Sequence, residues 1–338
     1  MSDPTPDPVR DGLLDRIGKP FGGGAPMEAP DAVNVPMIRH WVDALDDRNP
    51  IYLDEDAARA NGWPGIVAPP AMLQTWTMAR PKIEGIAERG GTATETTGEN
   101  PISTLAAAGF SGTLATNSEL EFDRYLRPGD LLTSEGIFES ISEQKTTGLG
   151  RGYFVTWVTT YRDQRGEEVG RQLFRVYKFA PGTAGEGGGR KEGRASKASA
   201  TKEAPSEPLG EALPAFDLDV TSTVIVAGAI ASRDFMPVHH DAEYARAQGA
   251  PDLFMNILTT NGYVARYVTD WAGPDARLTK IAIRLGAPSV PGKVLRFTGQ
   301  VVSESVEDDH RMQTVALAAT NDFGPHATGT VELVRPRT

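Results

Sequence analysis

Residues 44–64 read ALDDRNPIYLDEDAARANGWP and residues 231–251 read ASRDFMPVHHDAEYARAQGAP, superposable at a constant offset of 187 with nine identities and no gap. The shared positions include Ala44 and Ala231, Asp47 and Asp234, Pro50 and Pro237, Asp54 and Asp241, Gly62 and Gly249, and Pro64 and Pro251. Conserved order and spacing of this kind is the signature of an internal repeat. Further along, Pro128, Gly129 and Gly136 match Pro291, Gly292 and Gly299 at an offset of 163, so the first copy carries 24 extra residues in between. The Gly- and Thr-rich stretch from Pro81 to Thr116 is the expected place for them.

Working outward, the copies sit in two parts, 1–181 and 209–338. Residues 182–208 separate them with Gly, Ala, Ser, Lys and Glu and almost no large apolar side chain, a composition that does not offset the entropy of ordering and reads as a linker. Each part follows one plan. A short helix is expected at Glu55 to Asn61 and Ala242 to Gln248, then a longer apolar helix at Ala71 to Glu88 and Asn256 to Trp271, where apolar residues recur every three or four positions. Strands follow at Tyr153 to Tyr161, Gln172 to Phe179, Leu278 to Leu285, Val294 to Val302 and Gln313 to Ala319, with Pro-Gly turns at 128–129 and 291–292 that favour antiparallel pairing. A long helix beside an antiparallel sheet is an α+β arrangement.

Composition narrows the function. A chain of 338 residues with 39% apolar and 23% charged residues fits two globular domains. The net charge of −11 argues against nucleic acid or an anionic membrane as partner, and an anionic ligand would need a local basic patch. With no cysteine, disulfides, thiolate nucleophiles and a zinc ribbon are excluded. The first residues, rich in Pro and Asp, do not read as a signal peptide, and nowhere do 18 apolar residues run together, so a cytoplasmic location is expected.

The chemistry concentrates at Asp234 to Asp241, Asp-Phe-Met-Pro-Val-His-His-Asp. Pro237 disfavours a helix there, so Asp234 and His239 converge across a turn. Such a pair can share a water molecule, the carboxylate orienting it and the imidazole taking its proton, with no metal required. The alternative is that Asp234 caps the next segment and His239 is an ordinary partly buried histidine. Adjacent side chains in His239-His240-Asp241 point apart, which argues against a metal site. His40, His310 and His326 are isolated and read as surface or packing residues. Arg127, Lys145, Arg151, Arg284 and Lys293 lie beside strands and turns and could contact the phosphates of an anionic ligand, although charged residues on strand edges are more often plain solvated surface.

These residues resemble the hydratase 2 motif of the MaoC-like enoyl-CoA hydratases, Gly-Asp-x-Asn-Pro-x-His-x-Asp, with Asp234, Pro237, His239 and Asp241 in register, Arg233 in place of the glycine and Met236 in place of the asparagine. The resemblance implies a double hot-dog fold, in which each antiparallel sheet wraps a long central helix, with Asp234 and His239 as the catalytic pair. It also implies an oxyanion-binding backbone N–H at the start of the central helix, here Asn256 in the step Met255-Asn256. In the first copy Asp47 is kept, but Tyr52 replaces the histidine and Pro69-Pro70 stands at the oxyanion step, so that half is expected to be non-catalytic, with Asp47 and Tyr52 left as candidate binders of a polar substrate group. The run Asp252 to Pro288 is similar to the catalytic subunit of the actinobacterial hydratases of steroid side-chain enoyl-CoAs, and the first half to the hot-dog region of its partner subunit. That resemblance implies hydration of a bulky, steroid-type enoyl-CoA thioester and no cofactor beyond the CoA of the substrate, with the family's basic pair of hot dogs fused in one chain; a homodimer of such chains is expected because closed two-fold assemblies dominate. A steroid aldolase is the further partner it implies, although the zinc ribbon that recruits it there is absent from this cysteine-free sequence. A hot-dog thioesterase and a non-enzymatic acyl-CoA-binding subunit are the competing readings.

Overall fold

The computed structural model describes residues 6–22, 24–89, 100–183 and 210–336. The expected linker lies almost entirely outside the described residues. In the first half the chain runs α1 (Pro8–Leu14), β1 (Met27–Glu28), α2 (Val35–Leu45), α3 (Glu55–Ala60), α4 (Pro101–Ala107), β2 (Gly112–Phe122), β3 (Thr133–Ile141), β4 (Lys145–Thr147), β5 (Gly150–Arg162) and β6 (Glu168–Ala180). The second half runs β7 (Ala212–Val220), α5 (Ser222–Ala231), α6 (Ala242–Ala247), α7 (Ile257–Ala272), β8 (Arg277–Leu285), β9 (Lys293–Glu307), β10 (His310–Asn321) and β11 (Gly324–Pro336).

The repeat is visible in the architecture. The pairs α2/α5 and α3/α6 occupy equivalent places, and the Pro50–Tyr52 and Pro237–His239 turns between them are both 3-10 turns. The strands are antiparallel and form one sheet in the order β1-β3-β5-β6-β2-β8-β11-β10-β9-β7, which reads the same from either end once β2 is equated with β8 and β6 with β11. The α+β double hot-dog expectation holds, with two differences of detail.

First, the two sheets join edge to edge through β2 and β8, with Asn117 opposite Arg284 and Glu121 opposite Lys280. Lys280 Nζ reaches Glu121 across that seam at 2.8 Å. Each edge strand finds its backbone partners in the other half, which removes two exposed edges.

Second, among the described residues only the second half has the long helix. In α7 nearly every side chain from Ile257 to Val268 is buried, so the helix is enclosed by the sheet and by α5 and α2. The expected helix Ala71 to Glu88 is not formed. The chain makes two 3-10 turns, Pro70–Met72 and Gln74–Thr77, and Met78 is already extended (φ −61°, ψ 123°). Pro81 explains this, because its ring disfavours helical backbone in the preceding residue and it has no N–H to donate to the ladder. The expected insertion contains α4, whose Asn100 caps it through a reciprocal bond with Ser103, and residues 90–99 lie outside the described residues.

Close helix contact sets up the site. Gly228 of α5 lies where a Cβ would overlap the Thr259 side chain of α7, and Gly262 of α7 where it would overlap Leu45 of α2. The first contact brings α5 onto the start of α7 and the second packs α7 on α2, and the loop that leaves α5 carries Asp234.

Candidate active site

The loop after α5 turns sharply at Arg233, whose φ of 59° lies in the left-handed region, as does Asp46 (φ 50°) at the equivalent place in the first half. This accounts for the glycine of the resembled motif, since a side chain there is strained. Asp234 N–H then donates to Ala229 O at 2.9 Å, and Asp234 Oδ1 accepts from Met236 N–H at 3.3 Å. The 3-10 turn Pro237–His239 brings the imidazole back, placing His239 Nε2 3.3 Å from Asp234 Oδ2. Asp241 caps α6, accepting from Tyr244 N–H at 2.9 Å, and the exposed His240 reaches Phe235 O at 3.1 Å, so the three motif residues after Val238 diverge. No cluster of three or more metal-ligating side chains occurs among the described residues.

The proton positions follow from the neighbours. His239 Nδ1 is 2.7 Å from the Phe254 carbonyl, which can only accept, so Nδ1 carries a proton. A neutral ring would then present the lone pair of Nε2 to a carboxylate. Burial pulls the His239 pKa down, but the charge of Asp234, the hydrogen bond to it and the Phe254 carbonyl together outweigh burial, and the net shift is upward. For Asp234, burial pushes up, while His239, Asn256 and the Met236 N–H hold the carboxyl below its usual range. Both directions describe the same state, a carboxylate and an imidazolium in contact, with side-chain exposures of only 13% and 7%. The sequence reading made the imidazole the base; the hydrogen-bond geometry favours the protonated ring.

Asn256 is the N-cap of α7 and does more than was expected of it. Its Oδ1 accepts from Thr259 N–H at 2.8 Å, while Nδ2 donates to Asp234 Oδ2 at 3.0 Å and to Ser232 Oγ at 2.9 Å. Ser232, fully buried, donates its own hydroxyl hydrogen bond to the Gly228 carbonyl at 2.8 Å. The Asn256 backbone N–H has no hydrogen-bond partner among the described residues, and it stands at the positive end of a 16-residue helix. Sequence reasoning missed the Asn256 side chain and Ser232. The signal was in the repeat: Ser232, His239 and Asn256 correspond at the offset of 187 to Leu45, Tyr52 and Pro69, the polar cluster of one copy replaced in the other.

In the first half Asp47 and Tyr52 are 5% and 1% exposed. Burial raises the Asp47 pKa to about 6 and pushes the Tyr52 phenol well above its usual value. Both lie near Asp270 at the end of α7, whereas Asp234 is bonded to Asn256 at its start. A helical rise of about 1.5 Å per residue separates those ends by roughly 20 Å. The structure therefore does not bring Asp47 and Tyr52 to Asp234. The equivalence at the oxyanion step shifts by one residue: Ala68 N–H donates to Leu126 O as Met255 N–H donates to Ser289 O, so Pro69 is the counterpart of Asn256. It has no N–H to offer. Of the candidate cations, Lys293 is engaged by Asp322 at 3.0 Å and stands over the Phe323 ring, while Arg284 is exposed on β8 and forms no ion pair among the described residues.

Comparison with known proteins decides the family. A model described as "FAS1-like, dehydratase domain region" matches residues 21–172, and one described as "MaoC like domain" matches residues 206–322. The chain is 46% identical over 125 residues, 94% of the length of that protein, to the Mycobacterium tuberculosis "3-oxo-4,17-pregnadiene-20-carboxyl-CoA hydratase beta subunit". This chain belongs to the MaoC-like family. Within that family it is also 48% identical over 160 residues to a "Probable enoyl-CoA hydratase alpha subunit" of Thermomonospora curvata, 47% of this chain, and it spans about half (48%) of that relative. A solved structure described as a "MaoC-like dehydratase" superposes with a TM-score of 0.70 at 21% identity, covering 96% of this chain and all (100%) of the other, a likeness of fold. The MaoC-like fold here is the double hot dog, one copy carrying the polar cluster and the other lacking it.

No helix among the described residues is long and apolar enough to cross a membrane.

Proposed function

We propose that this chain is an enoyl-CoA hydratase, a hydro-lyase that adds water across the α,β double bond of a bulky acyl-CoA thioester, with a steroid side-chain enoyl-CoA as the substrate class. The observation that carries the reading is the buried Asp234–His239 pair, 3.3 Å apart, beside an Asn256 N–H that has no partner among the described residues at a helix start. Its similarity to the alpha and beta subunits of enoyl-CoA hydratases supports the substrate class.

The reaction moves two protons and one oxygen. As the water oxygen bonds to Cβ, the Asp234 carboxylate takes a water proton, and the electron pair of the double bond moves toward the thioester oxygen. The Asn256 N–H, aided by the helix dipole, stabilises the resulting enolate. The His239 imidazolium then delivers its proton to Cα. The second proton of the water stays on the new hydroxyl, and proton redistribution within the pair restores the resting state. No cofactor is needed beyond the CoA of the substrate. Two such chains about a two-fold axis, acting in the cytoplasm, complete the proposal, and an aldolase that would cleave the hydroxylated product is the partner its chemistry suits.

The test uses the full chain with crotonyl-CoA and with a steroid side-chain enoyl-CoA. Loss of the conjugated enoyl absorbance without thiol release is expected. Thiol release would replace the reading with a thioesterase. Binding of both thioesters without turnover would replace it with a non-enzymatic acyl-CoA-binding subunit.

A further inference from the structure

His326 on β11 was expected to be a packing residue, yet its contacts lead to the catalytic centre. It is 2% exposed, and both ring nitrogens are engaged. Nδ1 lies 2.8 Å from the Ala287 carbonyl and therefore carries a proton. Burial pulls its pKa below the usual value and outweighs that carbonyl, so the ring is neutral and Nε2 is an acceptor. Thr260 Oγ lies 3.0 Å from Nε2 and also 3.0 Å from the Asn256 carbonyl, and its single proton serves one of them at a time. With the ring neutral, the proton turns to Nε2, and the Asn256 carbonyl keeps its bond from Thr260 N–H at 3.1 Å.

The Ala287 bond begins a second route. Three consecutive carbonyls of the segment 287–289 are held by side chains or backbone from elsewhere: Ala287 by His326, Pro288 by Asn321 Nδ2 at 2.9 Å, and Ser289 by Met255 N–H at 2.9 Å. The segment is tied further by Gly286 N–H to His326 O and Ala287 N–H to Pro325 O, both at 2.8 Å. Met255 N–H and Phe254 C=O belong to a single peptide group. Its carbonyl accepts from His239 Nδ1 and its N–H donates to Ser289, and the next peptide along carries the free Asn256 N–H. Peptide groups are rigid planes, so anchoring the 254–255 plane fixes the direction of His239 on one side and of the oxyanion donor on the other.

We infer that His326 is a positioning residue for the oxyanion step and for His239, acting through Thr260 on the first turn of α7 and through the 287–289 carbonyls on the Phe254–Met255 peptide. This rests on the hydratase reading above and assigns His326 no contact with substrate. A donor aimed at a developing enolate contributes mainly in the transition state. Removing such a donor outright costs about 100- to 1,000-fold in kcat, and misaiming it should cost about 10-fold.

The test compares wild type with His326→Asn, Thr260→Val and Thr260→Ser in the full chain. Asn keeps a donor for Ala287 but does not reach Thr260, Val removes the hydroxyl at nearly constant volume, and Ser restores it. With the enoyl-CoA that wild type hydrates, kcat should fall about 10-fold in His326→Asn and in Thr260→Val, with KM within about twofold, and should recover in Thr260→Ser. A bound dienoyl-CoA, whose absorption moves to longer wavelength when its carbonyl is polarised, should show a smaller shift in the two impaired variants. If His326→Asn fails to fold, the two Thr260 variants carry the comparison. Unchanged kcat and an unchanged spectral shift in the impaired variants would overturn the inference, and so would a Thr260→Ser enzyme as slow as Thr260→Val. A wild type that hydrates no enoyl-CoA would instead overturn the functional reading itself.

Discussion

Replacing Asp234 with Asn separates the two roles assigned to the catalytic pair. The change is nearly isosteric, but the donors use different oxygens, Asn256 Nδ2 reaching Oδ2 at 3.0 Å and Met236 N–H reaching Oδ1 at 3.3 Å, so the single oxygen of asparagine keeps one of these bonds and its amide group faces the other donor. What is lost is the negative charge 3.3 Å from His239 Nε2. Burial, already the largest influence on that imidazole, would then prevail, and its pKa would fall below the usual value rather than rise above it. A positioned general base contributes about 100- to 10,000-fold, and the proton donor becomes neutral in the same step, so kcat should drop by at least about 1,000-fold. Stability should fall by about 2 kcal/mol, the scale of a charge-assisted hydrogen bond, because the imidazole can shed its proton instead of remaining buried and unpaired. The sign of the pH dependence follows from the two shifts. Asp234, held low, contributes stability above its unfolded pKa near 3.9, lost as pH falls through the lower folded value. His239, held high, contributes below its unfolded pKa near 6.5, lost as pH rises through the folded value. The gap in unfolding free energy between wild type and Asp234→Asn should be widest between about pH 4 and 6.5 and close on both sides. Enoyl-CoA hydration followed across pH, with denaturant unfolding in parallel, reads both effects. The wild-type rate should be bell-shaped. A rate that climbs through the imidazole range and stays flat at alkaline pH would refute the ion-pair assignment and return the base role to His239, and a variant keeping a tenth of wild-type kcat would refute the role of Asp234.

Asn256→Ala should cost about 1 kcal/mol through the lost cap and slow turnover about 10- to 100-fold through the freed Asp234 side chain, measured by thermal unfolding and steady-state kinetics. Asp47→Asn should stabilise the chain at pH 7 by up to about 3 kcal/mol, because a rise from 3.8 to about 6 penalises ionisation. That gain is lost below about pH 4, where the folded and unfolded states both bind the proton, and hydration should be unaffected throughout; urea titrations at the two pH values check the sign. Tyr52→His should create no second active site, since Pro69 still lacks an N–H, and a doubling of kcat per chain would contradict the account of the first half. Arg233→Gly should relieve the left-handed strain at φ 59°, raising stability by about 0.5–1 kcal/mol, as calorimetry would show.

The parts legible in the sequence were those encoded within a few residues or by repetition. The alternation of Val294 to Val302 and the apolar spacing along Ile257 to Trp271 reflect local backbone preference and burial of one face, so their elements were expected nearly where they lie. The repeat itself predicted two equivalent halves and, through Tyr52 and Pro69, which half had lost the cluster. Even the broken helix was written locally, in Pro81, although the apolar spacing around it suggested a helix.

The sequence alone therefore determined the duplicated fold, the Asp234–His239 pair and the asymmetry between the halves. Only the tertiary structure decided how that pair is charged, because the protonation of His239 depends on a Phe254 carbonyl 15 positions away and on how deeply both groups are buried. It alone brought the Asn256 side chain to Asp234 across 22 positions and His326 to Thr260 across 66. It also joined β2 to β8 in one sheet. Local preferences act over the reach of a turn, whereas hydrogen bonds and charges act through space, and the packing of α5 on α7 at Gly228 determines which distant residues come within that range.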